Sequence, residues 1–229
     1  MPDLKSALRA AVDWCGKNAV DIPLELQADL ARLTARKAIG DITATIAEYH
    51  DAITQAIVDY FTGDRRIQEA RGDFKHAATN GLGDAFETGW LDGGQELPLD
   101  PEAVDWLAAR QEQEFGFIDQ LFVQAKELKQ EKDFDYFAWA TERADGYAAS
   151  AGGVYNEGKL FAAKNKLLTW VYGETEHCET CEKLNGQRHR ASWFVSRNYI
   201  PRQPGAAMEC GGYRCMCSLI ADDGEEFTI

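Results

Sequence analysis

Cys178-Glu179-Thr180-Cys181 sets two thiols three residues apart, and Cys210, Cys215 and Cys217 follow after an interval of twenty-eight residues. A Cys-x-x-Cys turn lets both sulfurs reach one ion. Zinc favours four tetrahedral ligands and binds cysteine as thiolate, so two separated cysteine groups predict one closed, structural zinc site. Five sulfurs compete for four places. The expected set is Cys178, Cys181, Cys210 and Cys215, with Cys217 or His189 as the alternative fourth ligand and His177 as a further nitrogen candidate. Gly211-Gly212 favours Cys210, because paired glycines allow the tight backbone of a metal knuckle. Cys215 and Cys217 would face opposite sides of a regular strand unless the chain turns there. Cys15 is isolated and reads as an ordinary small side chain.

Other chemistries fit these residues less well. A thioredoxin-like redox pair needs a strand-helix setting that is not evident here, and ferredoxin clusters need closely iterated cysteines. Catalytic zinc keeps an open position, which a thiolate-rich closed site lacks. The zinc deaminase order is absent, since Glu174-Thr175-Glu176-His177 precedes the cysteine pair in the wrong arrangement. No Walker loop, dinucleotide-binding glycine pattern or His-Glu-x-x-His occurs. The expectation is a protein that is not an enzyme. Glu142 and Arg143 are adjacent on a helix and read as part of a solvated face.

The elements that must hold this cluster belong to a chain of 229 residues, 45% apolar and 27% charged, which is the composition of a globular protein. No window is long and apolar enough for a membrane span, and no signal peptide opens the chain, so a cytosolic setting with reduced thiols is expected. The net charge of -14 is uneven: residues 84 to 146 carry sixteen acids against five bases, and residues 159 to 214 carry nine bases against five acids. Non-specific duplex binding as the whole function is disfavoured by this field.

Apolar residues recur at the helical period from Leu26 through Leu30, Leu33, Ile39, Ile42, Ile46, Tyr49, Ile53 and Ile57 to Tyr60, with a break at Gly40-Asp41 if there are two helices. A turn is expected at Thr62-Gly63-Asp64 and a short polar helix over 65 to 79. The glycines at 81, 83, 89, 93 and 94 predict a loop tacked down by Phe86, Trp90 and Leu91. Asp100-Pro101 opens a helix that runs to about residue 131. Helices are expected from Phe134 to Ala149 and from Val154 to Leu168, parted by Gly152-Gly153. Strands are expected at Thr169 to Tyr172, through Ile200, and from Tyr213 to Ile220. The fold class is α+β: a mostly helical N-terminal region followed by a small β-rich zinc-binding module.

Ala138-Trp139-Ala140-Thr141-Glu142-Arg143-Ala144, then Trp170-Val171-Tyr172 leading to Cys178-Glu179-Thr180-Cys181-Glu182-Lys183-Leu184-Asn185-Gly186, and finally Pro204 with Cys215-Met216-Cys217, follow one another in an order that resembles a known family. It is that of the minor head proteins of tailed bacteriophages related to the Mu F protein and the SPP1 head morphogenesis protein. The likeness covers about residues 134 to 220. It departs from the family where the histidine before the closing Cys-x-Cys is missing, with Cys210 nearby, and where the order is Thr141-Glu142-Arg143.

The resemblance implies a noncatalytic role in head assembly or DNA delivery, in the virion head interior or portal region and in host cytoplasm during assembly. Its partners would be the portal or a neighbouring head or connector protein, with a homo-oligomer and weak contact with packaged DNA as further expectations. The corresponding division is a helical assembly domain over 1 to 132, a zinc-bearing module over 133 to 220 and an acidic tail over 221 to 229, with the apolar stripe providing attachment. The alternative is a zinc-stabilised adaptor that binds protein, or RNA through Arg188, His189, Arg190, Arg197 and Arg202.

Overall fold

The structure is a computed structural model that describes residues 41–174, 176–212 and 215–228. The stripe from Leu26 to Ile39, and Cys15, lie outside the described residues. Residues 39 to 229 form one compact unit, in which a layer of long helices is followed by a small antiparallel sheet and the cysteine cluster.

Four long helices come first. Helix α1 (Ile42–Thr62) is capped by the Asp41 carboxylate, which accepts from the Thr43 amide, and it ends at Gly63 in the left-handed conformation, φ 92°. The expected turn at Thr62-Gly63-Asp64 is thus the stop signal of α1. Helix α2 (Ile67–Asp92) opens with the Glu69 carboxylate accepting from the Arg66 amide at 2.8 Å. Asp100 caps α3 (Pro101–Leu128) by accepting from Ala103 N at 2.8 Å, with Pro101 in the first turn, and Asp135 caps α4 (Tyr136–Ala162) in the same way.

Of the glycines expected to form a loop, Gly81, Gly83 and Gly89 lie instead in the second half of α2 and only Gly93 and Gly94 lie in the turn that ends it, while Gly152-Gly153 lies inside a continuous α4. Packing outweighs helix propensity here. A Cβ at Gly89 would fall on the Tyr155 carbonyl oxygen, one at Gly158 on the Phe86 carbonyl oxygen, and one at Gly81 would stand 2.6 Å from the Tyr49 ring. The glycines bring α2 against α4 at backbone distance and let the Tyr49 ring of α1 seat on Gly81, although each costs a helix roughly 1 kcal/mol relative to alanine.

Tyr49, Ile53, Ile57 and Tyr60 of α1 are buried against α2 and α4. The described part of the stripe is therefore internal core, not a free attachment face. Helix α4, which begins beyond residue 132, packs across α1 and α2.

The sheet has the order β2-β1-β3, all antiparallel: β1 (Leu167–Val171), β2 (Arg188–Arg190) and β3 (Ser218–Ala221). Two short helices, α5 (Glu179–Leu184) and α6 (Ala191–Ser196), flank β2. The first strand lies close to its expected place, and the third is shorter than expected. The strand expected through Ile200 is replaced by β2, while Ile200 is buried in a non-strand segment. Leu168 and Trp170 point into a second core with Leu160 from the end of α4, Leu184, Phe194, Leu219 and Phe227. Phe227, within the stretch expected as an acidic tail, is anchored. Phe227 N donates to Leu219 O at 2.7 Å, and the Phe227 ring is buried beneath Lys159 and Lys166.

Candidate metal centre

The cysteine cluster is assembled by three short segments. Cys178 is the residue before α5 and Cys181 lies in its first turn, so one helical turn aims both sulfurs the same way, 3.5 Å apart. The chain enters this turn from β1 and leaves it by pairing back: Gly186 N donates to Trp170 O at 2.9 Å, and Asn185 Oδ1 accepts from Tyr172 N at 3.2 Å.

Cys210 is brought over by the loop before it. Glu179 N donates to the Glu209 carboxylate at 2.9 Å and Glu209 N donates to Thr180 Oγ1 at 3.2 Å. Gly211 and Gly212 have φ of 61° and 78°, the left-handed values that the knuckle requires and that a side chain would resist. Cys215 and Cys217 stand in an irregular stretch before β3, where strand alternation does not apply, and both sulfurs turn inward while Met216 is exposed.

The result is two overlapping groups, Cys178, Cys181 and Cys210, and Cys181, Cys215 and Cys217, each with its sulfurs within 4.8 Å of one another. Cys181 is shared and buried. The separations of 3.5 Å for Cys178 to Cys181 and 3.9 Å for Cys181 to Cys215 bracket the edge of about 3.8 Å expected between two thiolates on a tetrahedral ion with metal–sulfur bonds of about 2.3 Å. Each group can therefore supply ligands to a divalent metal ion, with Cys181 common to both.

Burial pushes the Cys181, Cys210 and Cys215 thiols up from their ordinary range. At Cys178 burial also opposes ionisation, but hydrogen bonds from the Cys181 and Cys210 backbone outweigh it and bring the thiol down to about 7. Neutralisation of clustered, buried thiolates is what a bound cation supplies.

The histidines part company. His177 stacks on Tyr172 at 3.8 Å and its Nδ1 is 3.6 Å from Cys217 Sγ, at the edge of the cluster. His189, the alternative fourth ligand, is on β2 opposite Leu168; it stacks on Trp193 at 3.7 Å, bonds Gln187 and belongs to neither cysteine group.

A second polar constellation was not apparent in the sequence. Arg110, Glu114 and Ser150 form a closed triangle of contacts at 2.7 to 2.8 Å, and Gln203 Nε2 donates to Glu157 Oε1 at 2.6 Å. Burial pushes the Glu157 carboxyl up to about 8, against the opposing pull of the Gln203 hydrogen bond and the Arg110 charge. The available signal was Ser150 and Glu157 two turns apart on the face of α4 that also carries Val154 and Gly158.

Among the described residues no helix is long and apolar enough to cross a membrane. Compared with known proteins, the chain matches no family model, no curated protein and no solved structure.

Proposed function

We propose that the chain is a noncatalytic, protein-binding adaptor whose C-terminal module is held in shape by one zinc ion. The observation that carries this is the meeting of two cysteine groups at Cys181, with Cys181, Cys215 and Cys217 buried in the second core with Trp170 and Leu219 and with Cys178 and Cys210 packed against it. An ion there joins three chain segments that otherwise share little regular structure, and its binding energy becomes folding energy. Cys178, Cys181, Cys210 and Cys215 are the proposed ligands, with Cys217 as the alternative fourth.

A protein partner is favoured over RNA by the fate of the basic residues. Arg188 pairs with Asp222 and Arg202 with Glu226, Arg190 donates to the Asn165 carbonyl, and Arg197 lies over the Trp193 ring at 4.3 Å. Asp222 and Glu226 thus offset two of these four charges, which weakens the face for a phosphate backbone. A head-assembly protein that engages a phage portal is the more specific form of the proposal, and its support is the order of motifs along α4 and the cysteine segment.

Elemental analysis of the full chain should find one zinc, lost together with the near-ultraviolet signal of the module in Cys181→Ser. A labelled RNA should bind weakly, with no change in Arg188→Gln. Tight, steeply salt-dependent RNA binding that falls in that variant would remove the adaptor proposal in favour of nucleic acid. Copurification with proheads or a portal ring would establish the specific form, and absence from both would remove it.

A further inference from the structure

The cysteine sulfurs fall into two groups of three that meet at Cys181, not into one group of four. A single tetrahedral ion draws four ligands to about 3.8 Å from one another. With Cys178, Cys181, Cys210 and Cys215 around it, that ion leaves Cys217 unused, although Cys217 is fully buried in the second core.

Cys217 has a neighbour outside the cysteine groups. His177 Nδ1 lies 3.6 Å from Cys217 Sγ. The edge between an imidazole nitrogen and a thiolate on one tetrahedral zinc, with bonds of about 2.0–2.1 Å and 2.3 Å, is about 3.6 Å. The fold holds this pair from two directions. Gly173 stands directly against the Met216 carbonyl, where a Cβ would collide with backbone, so the segment leading to His177 runs against the segment that carries Cys217. The His177 ring stacks on Tyr172 with planes 7° apart, and Tyr172 N is tied to Asn185 Oδ1 beyond the Cys178–Cys181 turn.

Two four-coordinate ions that share an edge need six ligands, two of them bridging and two terminal on each ion. Five sulfurs and the His177 nitrogen supply that number. Cys178 and Cys210 stand on one side, and Cys217 with His177 on the other. Cys181 belongs to both cysteine groups, and Cys215, 3.9 Å from it, is also within electrostatic reach of Cys210. A thiolate sulfur keeps lone pairs for a second ion, so Cys181 and Cys215 are placed to bridge. Charge favours the same arrangement. Four thiolates around one dication leave two negative charges in the core; a second dication, one more thiolate and a neutral imidazole reduce that to one.

We propose that the module holds a second divalent ion, bound by Cys217 and His177 and sharing the Cys181 and Cys215 thiolates with the first, a site that rests on the structural zinc proposed above. The second ion meets thiolates already partly neutralised by the first. It is therefore the weaker of the two, and the chain carries one ion until metal is in excess.

Native mass spectrometry of the full chain titrated with zinc reads the number of ions held. One ion should be retained at equimolar metal, and a second should bind saturably in excess. His177→Ala, a change at the edge of the cluster, should hold the count at one while the first ion stays, and Cys217→Ser should do the same. Loaded with cadmium-113, the unsubstituted chain should give two NMR resonances, with the Cys181 β-protons coupled to both. Saturation at one ion would overturn the second site and leave the structural zinc standing. A second ion that survives both substitutions, the result for adventitious binding elsewhere, would overturn it too, as would coupling of Cys181 to one resonance only. A chain that holds no ion would remove the structural zinc and the second site together.

Discussion

Gly89→Ala is the substitution on which the account of the helical core depends most directly. In an isolated helix it would stabilise by about 1 kcal/mol, since alanine is the better helix former. In this fold the new Cβ would fall on the Tyr155 carbonyl oxygen and stand 2.9 Å from the Lys159 amide nitrogen. Both are backbone atoms of α4 and neither can rotate aside, so the helices must part. Overpacking of this kind costs about 1–3 kcal/mol, and a backbone obstacle argues for the upper end. After the propensity gain the net loss should be about 2 kcal/mol, or about 4–8 °C in Tm for a chain of this size. Gly72 is the control: it is exposed on the same helix with nothing within 4 Å of its added Cβ, so Gly72→Ala should gain up to about 1 kcal/mol. Urea titration of the zinc-loaded proteins, followed by far-ultraviolet circular dichroism, measures both. If Gly89→Ala were as stable as Gly72→Ala, the close crossing of α2 and α4 would be wrong.

Glu157 should set a pH dependence of stability. Burial raises it to about 8 in the folded chain, above the ordinary carboxyl value of 4.5, so the protonated form favours folding; stability is highest below the ordinary value, declines as pH rises by up to about 1.4 kcal/mol per unit, and levels off above the folded value. Glu157→Gln should flatten that slope in denaturant titrations at pH 5 and pH 8, and an unchanged slope would assign it to other groups. Phe227→Ala should destabilise by about 3–5 kcal/mol because it empties a fully enclosed site in the second core; a loss below about 1 kcal/mol would show that the ring does not fill that site. Cys181→Ser should abolish metal binding and hydrogen-exchange protection of β1 and β3 while amides of α1 and α2 stay protected, and uniform loss of protection would show that the two cores unfold together. Arg188→Gln should change stability by less than about 1 kcal/mol, because both partners in its ion pair with Asp222 are largely exposed; a larger loss would show that the pair has a structural role.

Local chemistry was legible wherever a few neighbouring residues suffice to fix it. Asp100-Pro101 marks a helix start because the carboxylate meets amides three residues away, Gly63 marks a stop because it accepts φ of 92°, and the cysteine spacing names a metal centre because one turn aligns Cys178 with Cys181. Helix and strand order, and hence the α+β class, followed from the same short-range rules. The glycines of α2 and α4 were misleading for a physical reason. Their effect on chain entropy is local and visible in the sequence, whereas the helix crossing they permit depends on Tyr155 and Phe86, residues 66 and 72 positions away from their partners Gly89 and Gly158.

The same distance in sequence hid the pairing of Glu157 with Gln203 and the return of Phe227 to the second core. It also decided between the histidines, since His177 reaches Cys217 across forty residues while His189 is turned onto Trp193 by its place in β2. Sequence alone determined which residues had the chemistry to bind a metal and where a helix is capped by its own neighbours, as at Asp100-Pro101 and Gly63. Only the tertiary structure decided which sulfurs converge, which glycines are contacts and which charged groups are buried, because those depend on chain segments meeting after the local elements have formed.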